Sequence, residues 1–202
     1  MMEKTILKKG KRIEICGAIA SGKTTLCKLL SDESWEPTFE EFTKNPFFEK
    51  FYTDPQGYAF ETELTFLLQH YEAIKTLQLS NDRVVSDYSL YQDIAYADQN
   101  LKDERRSAFQ NITDILMDEI GVPDHIIYLV CSTDILHERI LTRGRREEAS
   151  ISKDYIEASV GALEQVITNI KTPVLKISSE KFDFRESSDS QDEILPMLKE
   201  LL

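Results

Sequence analysis

The stretch of this 202-residue sequence that decides its fold reads Gly17-Ala18-Ile19-Ala20-Ser21-Gly22-Lys23-Thr24. It fits the pattern G-x-x-x-x-G-K-[ST], in which a glycine-rich turn and a helix N-terminus surround nucleotide phosphates with backbone N–H groups. The apolar run at residues 13–16 precedes it, and an apolar helical pattern with Leu26, Leu29 and Leu30 follows it. Both the strand and the helix that the pattern requires are therefore present. Lys23 is placed to reach the outer phosphates, and Thr24 to bind Mg²⁺.

Short apolar runs alternate with helical patterns along the rest of the chain. We predict strands at Arg12 to Cys16, Thr38 to Phe39, Arg83 to Ser86, His125 to Cys131 and Val174 to Ile177. One intervening helix shows apolar residues at intervals of three and four: Phe60, Leu64, Leu67, Leu68, Tyr71 and Ile74. Strand, helix and strand in repetition predict an α/β fold, with a parallel sheet covered on both faces. We expect residues 1–202 to form one domain, with a polar loop from Glu180 to Asp192 before a last helix.

Composition excludes several classes of partner. The chain has 24 Lys and Arg against 36 Asp and Glu, a formal net charge of −12, which disfavours general binding to nucleic acid or to an anionic membrane. No apolar run approaches the ~20 residues of a membrane span, and the N-terminus lacks a signal-peptide pattern, so we expect a cytoplasmic protein. Cys16, Cys27 and Cys131 are widely spaced in apolar surroundings and are predicted to be reduced packing residues.

One dense basic cluster departs from the acidic background. It consists of Arg139, Arg143, Arg145 and Arg146. In isolation, such a cluster is explained either as a solvated helix end paired with Glu138, Glu147 or Glu148, or as a binding site for an anion.

Four further stretches carry a family resemblance. They read FEEFTKNPFFEKFYTDP at 39–55, YAFETE at 58–63, SDYSLYQD at 86–93 and RILTRGRREE at 139–148. Together with the phosphate-binding loop, they closely resemble the deoxynucleoside kinases, particularly the bacterial deoxyadenosine and deoxyguanosine kinase branch, over most of the chain. The resemblance implies a P-loop nucleoside kinase fold with five parallel strands and an arginine-rich lid. It also implies ATP and Mg²⁺ as cofactors, a nucleoside acceptor and a homodimer.

The resemblance assigns roles around the reacting groups. Glu40, five positions before Asn45-Pro46, matches the general base of the family, whereas Glu36 is expected in the preceding turn. Asp87 matches an acidic residue near the reacting hydroxyl and the metal, so Thr24 and Asp87 are the expected metal ligands. The alternative for Asp87 is the N-cap of the next helix. The arginine that the family has next to this acidic residue is Tyr88 here, which removes a guanidinium from the acceptor site.

Further matches concern the donor and the sugar. Arg139, Arg143 and Arg145 match the lid arginines that close over the transferring phosphate. Tyr52 and Glu148 match residues that bind the sugar 3′-hydroxyl. Asp183 and Phe184 resemble a loop whose backbone contacts the donor adenine. The resemblance and the loop pattern together predict donor binding by Gly17, Ala18, Ile19, Ala20, Ser21, Gly22, Lys23, Thr24, Thr25, Asp183 and Phe184.

The expected base pocket departs from the family pattern. The family has a Gln, an Arg and an Asp where this chain has Glu63, His70 and Asp93. Because Glu63 and His70 are seven residues apart, they share one helix face. An ionised Glu offers only acceptors, which suits the N1–H and N2–H₂ donors of guanine and weakly favours that base. The alternative is that Glu63 pairs with His70 or with solvent and contacts no base.

We therefore predict a kinase that phosphorylates the 5′-hydroxyl of a deoxynucleoside with ATP and Mg²⁺, with a purine, in particular deoxyguanosine, weakly favoured. Two alternatives remain at this point. One is a nucleoside monophosphate kinase of thymidylate kinase type, which would need a cation for the acceptor phosphate. The other is a nucleotide-binding regulatory protein without catalysis, which the presence of Glu40, Lys23 and the lid arginines disfavours.

Overall fold

The computed structural model describes residues 10–31, 33–182 and 194–198. The strands are β1 Lys11–Gly17, β2 Glu36–Thr38, β3 Arg83–Ser86, β4 His125–Val130 and β5 Val174–Ser178. The helices are α1 Lys23–Ser31, α2 Phe48–Thr53, α3 Pro55–Ser80, α4 Leu90–Asn100, α5 Asp103–Ile120, α6 Thr133–Arg143 and α7 Lys153–Asn169. Two short 3₁₀ helices lie at Phe42–Lys44 and Arg146–Glu148.

The five strands form one parallel sheet in the order β2-β3-β1-β4-β5. The predicted α/β architecture is confirmed, and β1, which leads into the phosphate-binding loop, lies at the centre. Each predicted strand is present, but β2 begins at Glu36 and ends before Phe39. The expectation that Glu36 belongs to the preceding turn was wrong. Pro37 makes this segment resemble a turn, yet β2 is an edge strand, where a proline is tolerated.

Both faces of the sheet are covered because side chains alternate along each strand. On β1, Ile13 and Ile15 belong to the core cluster that includes Leu26 and Leu30 of α1. Cys16 belongs to a second cluster, which α4, α6 and α7 help to form. All three cysteines are buried and free, which confirms their prediction as reduced packing residues.

Helix α3 is the longest helix and carries much of the pocket. Asp54 caps its first turn by accepting a hydrogen bond from the Gly57 N–H at 3.0 Å, and Pro55 occupies the first turn, where no N–H is needed. Of the predicted apolar face, Leu67 and Ile74 are fully buried, and Phe60, Leu64 and Tyr71 pack against the same cluster. Leu68 is instead 45% exposed. Helix α3 is therefore held against the core by one of its faces.

The carboxyl ends of all five strands meet at one edge of the sheet, where parallel α/β folds bind ligands. Within the described part of the chain, no helix combines the length and apolar character needed to span a bilayer. Most of the predicted polar loop, from 183 to 192, lies outside the described residues. Residues 194–198 are helical, as predicted for the last helix, and bury Ile194 and Leu198.

Candidate active site

A cavity of about 560 Å³ opens at this edge of the sheet. Most of the predicted site residues line it: Ile19, Ala20, Ser21, Gly22, Lys23, Thr24, Thr25, Glu40, Tyr52, Glu63, His70, Asp87, Asp93, Arg139, Arg143, Arg145 and Glu148. Gly17 and Ala18 lie at the start of the loop, outside this lining. Asp183 and Phe184 lie outside the described residues, next to Phe182, which does line the cavity.

The phosphate-binding loop is a compact turn between β1 and α1. A Cβ atom on Gly17 would meet Ser21 Oγ at 2.6 Å, so a side chain does not fit there. Gly22 has φ of 101°, a conformation that side chains disfavour. The Ser21 N–H donates to the Ala18 carbonyl at 3.1 Å and closes the turn. The two glycines of the pattern are therefore required by the backbone path.

Lys23 is held inside this loop. Its Nζ donates to the carbonyls of Gly17 at 2.8 Å and of Ala18 at 3.2 Å. Burial lowers the pKa of Lys23, while the carboxylates of Glu40 and Asp87 oppose that effect. The ammonium therefore lies between the loop and the acidic side of the cavity, where it can contact a phosphate group.

Asp87 connects the loop to the end of β2. Its Oδ2 accepts a hydrogen bond from Thr24 Oγ1 at 2.6 Å, and its Oδ1 accepts one from the Glu40 N–H at 2.7 Å. The N-cap of α4 is Ser89, whose hydroxyl accepts from the Tyr91 N–H, so the capping alternative for Asp87 was wrong. A hydroxyl and a carboxylate side by side are the oxygen ligands that Mg²⁺ takes in kinases.

Glu40 follows β2 and lies among charged groups. Burial raises the pKa of its carboxyl, and His70 and Lys23 partly offset this rise. The nearest atoms of Glu40 and His70, Oε2 and Nε2, are 3.7 Å apart. A partly buried carboxyl with a raised pKa is a stronger proton acceptor once ionised than an ordinary surface carboxylate.

His70 occupies the place between Glu40 and Asp93. Its Nδ1 lies 2.9 and 3.0 Å from the two Asp93 carboxylate oxygens. Burial lowers the pKa of His70, but Asp93 and Glu40 outweigh it and the pKa is raised. Its Nε2 is buried and has no hydrogen-bond partner among the described residues. His70 therefore lies between two acidic side chains, both of which favour its protonated form.

The ring of Tyr88 packs against the ring of His70. The two rings stack at a centroid distance of 3.9 Å and an interplanar angle of 10°. The Tyr88 hydroxyl is hydrogen-bonded to Thr38 Oγ1 at 2.9 Å. The position at which the resemblance led us to expect a guanidinium thus holds an aromatic ring that stacks on the His70 imidazole.

Glu63 lies two turns before His70 on the same face of α3, as the spacing predicts. Its Oε1 accepts a hydrogen bond from Asn100 Nδ2 at 2.7 Å. Burial raises its pKa to about 8, and the Asn100 hydrogen bond only partly opposes this. The assumption of an ionised Glu63, on which the weak preference for guanine was based, is therefore not met near neutral pH. Nor does Glu63 hydrogen-bond to His70, as the alternative supposed.

The predicted lid arginines, Arg139, Arg143 and Arg145, also line the cavity. Arg143 Nη2 and Arg145 Nη1 donate to the two oxygens of the buried Glu148, the second at 3.1 Å. Arg139 donates to Ser179 Oγ at 3.1 Å and to its carbonyl at 2.7 Å. The ion-pair alternative is thus realised for two arginines, but through a residue that itself lines the cavity. Arg146 does not line it.

Sequence reasoning missed several residues that line the cavity or hydrogen-bond to its lining. Gln92 Oε1 accepts a hydrogen bond from the Gly17 N–H at 3.2 Å and supports the loop. The guanidinium of Arg145 lies 4.1 Å from the ring centre of Phe42. Asn100 follows Asp93 by seven residues, a spacing that could have placed both on one face of α4. Tyr155 comes from the distant α7, and no local signal indicates it.

The sequence of the chain is similar to those of several known proteins. The sequence model of a family described as deoxynucleoside kinase matches residues 13–202. Deoxyguanosine kinase of Bacillus subtilis (strain 168) is 30% identical over 203 residues, covering 94% of this chain and 97% of that protein. The deoxyadenosine/deoxycytidine kinase of the same organism is 28% identical, covering 100% and 97%.

A solved structure supports the fold. Deoxyadenosine kinase from M. mycoides with bound dATP superposes with a TM-score of 0.76 at 22% identity, covering 94% of this chain and 99% of that chain. The same enzyme with bound dCTP gives a TM-score of 0.78 at 23% identity.

Proposed function

The chain belongs to the deoxynucleoside kinase family, and on this premise we propose that Glu40 and the phosphate-binding loop transfer the γ-phosphoryl group of ATP to the 5′-hydroxyl of a deoxynucleoside. One observation carries this assignment of roles. Glu40, Lys23 and Asp87 converge in one cavity, at which the phosphate-binding loop and the lid arginines also meet.

Glu40 acts as the general base. As the phosphoryl group arrives, the 5′-hydroxyl loses its proton to the Glu40 carboxylate, a new O–P bond forms, and the bond from the γ-phosphorus to the bridging oxygen breaks to release ADP. His70, about 3.7 Å from Glu40, favours the ionised form that this step requires.

The loop and the lid stabilise the transferring phosphoryl group. Phosphoryl transfer proceeds through a loose transition state with negative charge on the equatorial oxygens, so positioned cations supply most of the rate acceleration. Lys23 faces this charge from the loop, and Arg139, Arg143 and Arg145 face it from α6 and the segment after it. Planar guanidinium groups suit this dispersed charge better than ammonium groups do.

Thr24 and Asp87 would hold the Mg²⁺ ion together with the donor phosphates. Their oxygens are already adjacent, and kinases bind this ion through one or two protein ligands. An ion held by these two residues would offset the negative charge of the donor phosphates.

The deoxynucleoside acceptor is held by cavity residues other than those that bind the ATP phosphates. We assign the sugar 3′-hydroxyl to Tyr52 and Glu148, and the base to Glu63, His70 and Asp93. Because the oxygens of Glu148 also hold Arg143 and Arg145, a sugar bound there is linked directly to the lid. A purine deoxynucleoside is the proposed substrate, as the name of the deoxyguanosine kinase of Bacillus subtilis supports.

The resemblance supports two further proposals: Asp183 and Phe184 contact the donor adenine, and the protein forms a homodimer. From the length and composition of the chain we also propose that residues 1–202 form one domain and that the protein resides in the cytoplasm. Sedimentation equilibrium across a range of protein concentrations tests the homodimer; a monomer at all concentrations refutes it.

A phosphorylation screen tests the proposed function. All common nucleosides, deoxynucleosides and their monophosphates are incubated with ATP and Mg²⁺, and products are separated by chromatography. We expect deoxynucleoside 5′-monophosphates. Reaction of monophosphates alone would favour the thymidylate-kinase-type alternative, and ATP binding without any product would favour a regulatory protein.

A further inference from the structure

Glu63 lines the cavity, and only one of its two carboxylate oxygens has a hydrogen bond to a described residue. It is 6% exposed and lines the cavity from α3. Its Oε1 is occupied by Asn100, whose Nδ2 also lies 3.3 Å from the Tyr155 hydroxyl. Oε2 has no hydrogen bond to any described residue. The side chain lines the cavity, so Oε2 can form a new hydrogen bond with a bound base, and Oε1 keeps a second lone pair beside its bond from Asn100.

The groups around Glu63 disfavour its charge. Those that face it from neighbouring elements are His70 on α3, Asp93 on α4, Glu40 after β2, Tyr52 on α2 and Tyr155 on α7. On α5, Arg105 instead lies over Phe60, and Glu119 pairs with Lys75. Burial acts first in raising the Glu63 pKa, and the two carboxylates add to it, whereas Asn100 and His70 oppose it; the result is about 8.

A neutral carboxyl and a carboxylate form different hydrogen bonds with a nucleobase. Because Asn100 donates to Oε1, the proton of a neutral Glu63 resides on Oε2, which leaves one O–H donor and one carbonyl acceptor. Adenine offers the N1 acceptor beside the N6 amine, and guanine offers the O6 acceptor beside N1–H, so the neutral carboxyl can pair with either. A carboxylate has acceptors only. It can pair with the N1–H and N2–H₂ of guanine, but it faces the N1 lone pair of adenine.

We propose that Glu63, positioned by Asn100, selects the base by its protonation state: the neutral carboxyl accepts both purines, and the carboxylate retains guanine and rejects adenine. This inference rests on the proposed function. It makes the base preference of the enzyme a function of pH, with broad use of purines below neutrality and selectivity for deoxyguanosine in alkaline solution.

The test is the ratio of kcat/KM for deoxyguanosine to that for deoxyadenosine, measured with ATP and Mg²⁺ between about pH 6 and pH 9. The ratio cancels the titration of Glu40, Lys23 and the lid, because both nucleosides depend on them. We expect it to be constant in acid and to rise by about ten- to a hundredfold through the pKa of Glu63, since one buried polar mismatch costs about 1–3 kcal/mol.

Two variants identify the titrating group. Glu63→Gln offers a donor and an acceptor at every pH, so its ratio should stay flat; it also controls for titration of the guanine ring itself. Asn100→Ala removes a hydrogen bond that lowers the Glu63 pKa, so the rise in the ratio should move to higher pH. A purely structural role for Asn100 would not move this inflection.

The failures of the two proposals are distinguishable. If neither nucleoside is phosphorylated at any pH, the proposed function fails and this inference fails with it. If both are phosphorylated but the wild-type ratio is independent of pH, the inference alone is overturned. A rise that persists unchanged in Glu63→Gln also overturns it, because another group must then titrate.

Discussion

Replacing Glu148 with Gln should reduce turnover rather than merely weaken nucleoside binding. The Glu148 carboxylate is 1% exposed and holds one lid arginine on each oxygen. Gln keeps one acceptor and turns an N–H₂ donor toward the other guanidinium. Losing one charge-assisted hydrogen bond costs about 1.5–3 kcal/mol, and if the lid contributes this to the transition state, kcat falls by about ten- to a hundredfold.

The assay compares kcat and the KM values of both substrates for wild type, Glu148→Gln and Glu147→Gln. Glu147 lies in the same 3₁₀ helix, and its substitution removes the same charge without touching the pair with Arg143 and Arg145. We expect Glu147→Gln to behave as wild type. A Glu148→Gln enzyme with normal kcat and a raised KM for the nucleoside would show that Glu148 serves the sugar alone and would refute its role in placing the lid.

Three other substitutions probe the loop, the lid and the base pocket. Lys23→Ala should abolish turnover, as measured by ADP release, because the loop loses the cation that faces the outer phosphates; retention of full turnover would remove Lys23 from the mechanism. Arg145→Lys should keep the charge but lose the planar contacts to Glu148 and Phe42, so turnover should fall more than ATP affinity does. Turnover equal to that of wild type would show that Arg145 contributes only its positive charge. The free energy of unfolding of Glu63→Gln should be close to that of wild type in acid and a few kcal/mol higher than that of wild type in alkali. The wild-type carboxyl has a pKa of 4.5 in the unfolded chain and of about 8 in the folded protein. The stability of the wild type therefore falls as pH rises between those two values, whereas that of the variant does not. Thermal unfolding at several pH values measures this gap, and a gap independent of pH would contradict the raised pKa.

Local patterns predicted the parts of the molecule that depend on local physics. The phosphate-binding loop needs glycine at position 17, where a Cβ would collide with Ser21, and at position 22, where φ is positive. The sequence pattern of the loop has its two glycines at these positions. Strand β4 is a nearly continuous apolar run because both of its faces are buried, whereas the central β1 also buries the ion pair of Arg12 and Glu14. Glu36 was misplaced because an edge strand of three residues has no pattern of its own.

The base pocket could be predicted only as a set of residues. The spacing of Glu63 and His70 placed both on one face of α3, and the structure puts both in the cavity. Their protonation states depend on burial and on partners from other elements. Asn100 and Asp93 come from α4 and Tyr88 follows β3, so no local pattern could show which residue neutralises which.

The lid illustrates the same limit. Sequence reasoning offered ion pairs and phosphate binding as alternatives for the arginines, because it treated Glu148 as either a partner or a sugar ligand. The structure places Arg143, Arg145 and Glu148 together on the cavity wall. The two explanations are compatible, since an arginine keeps further N–H donors after one hydrogen bond to a carboxylate.

The central claim is that Glu40 is the base for phosphorylation of a 5′-hydroxyl, and a single-turnover comparison of wild type with Glu40→Gln tests it most directly. Deoxyguanosine and deoxyadenosine are mixed with enzyme, ATP and Mg²⁺, and the phosphorylated position is identified by ³¹P nuclear magnetic resonance. We predict 5′-monophosphates from wild type and a chemical step slower by at least roughly a hundredfold in Glu40→Gln, with ATP and nucleoside binding largely unchanged. A product phosphorylated elsewhere, or a chemical step in Glu40→Gln as fast as in wild type, would contradict the account.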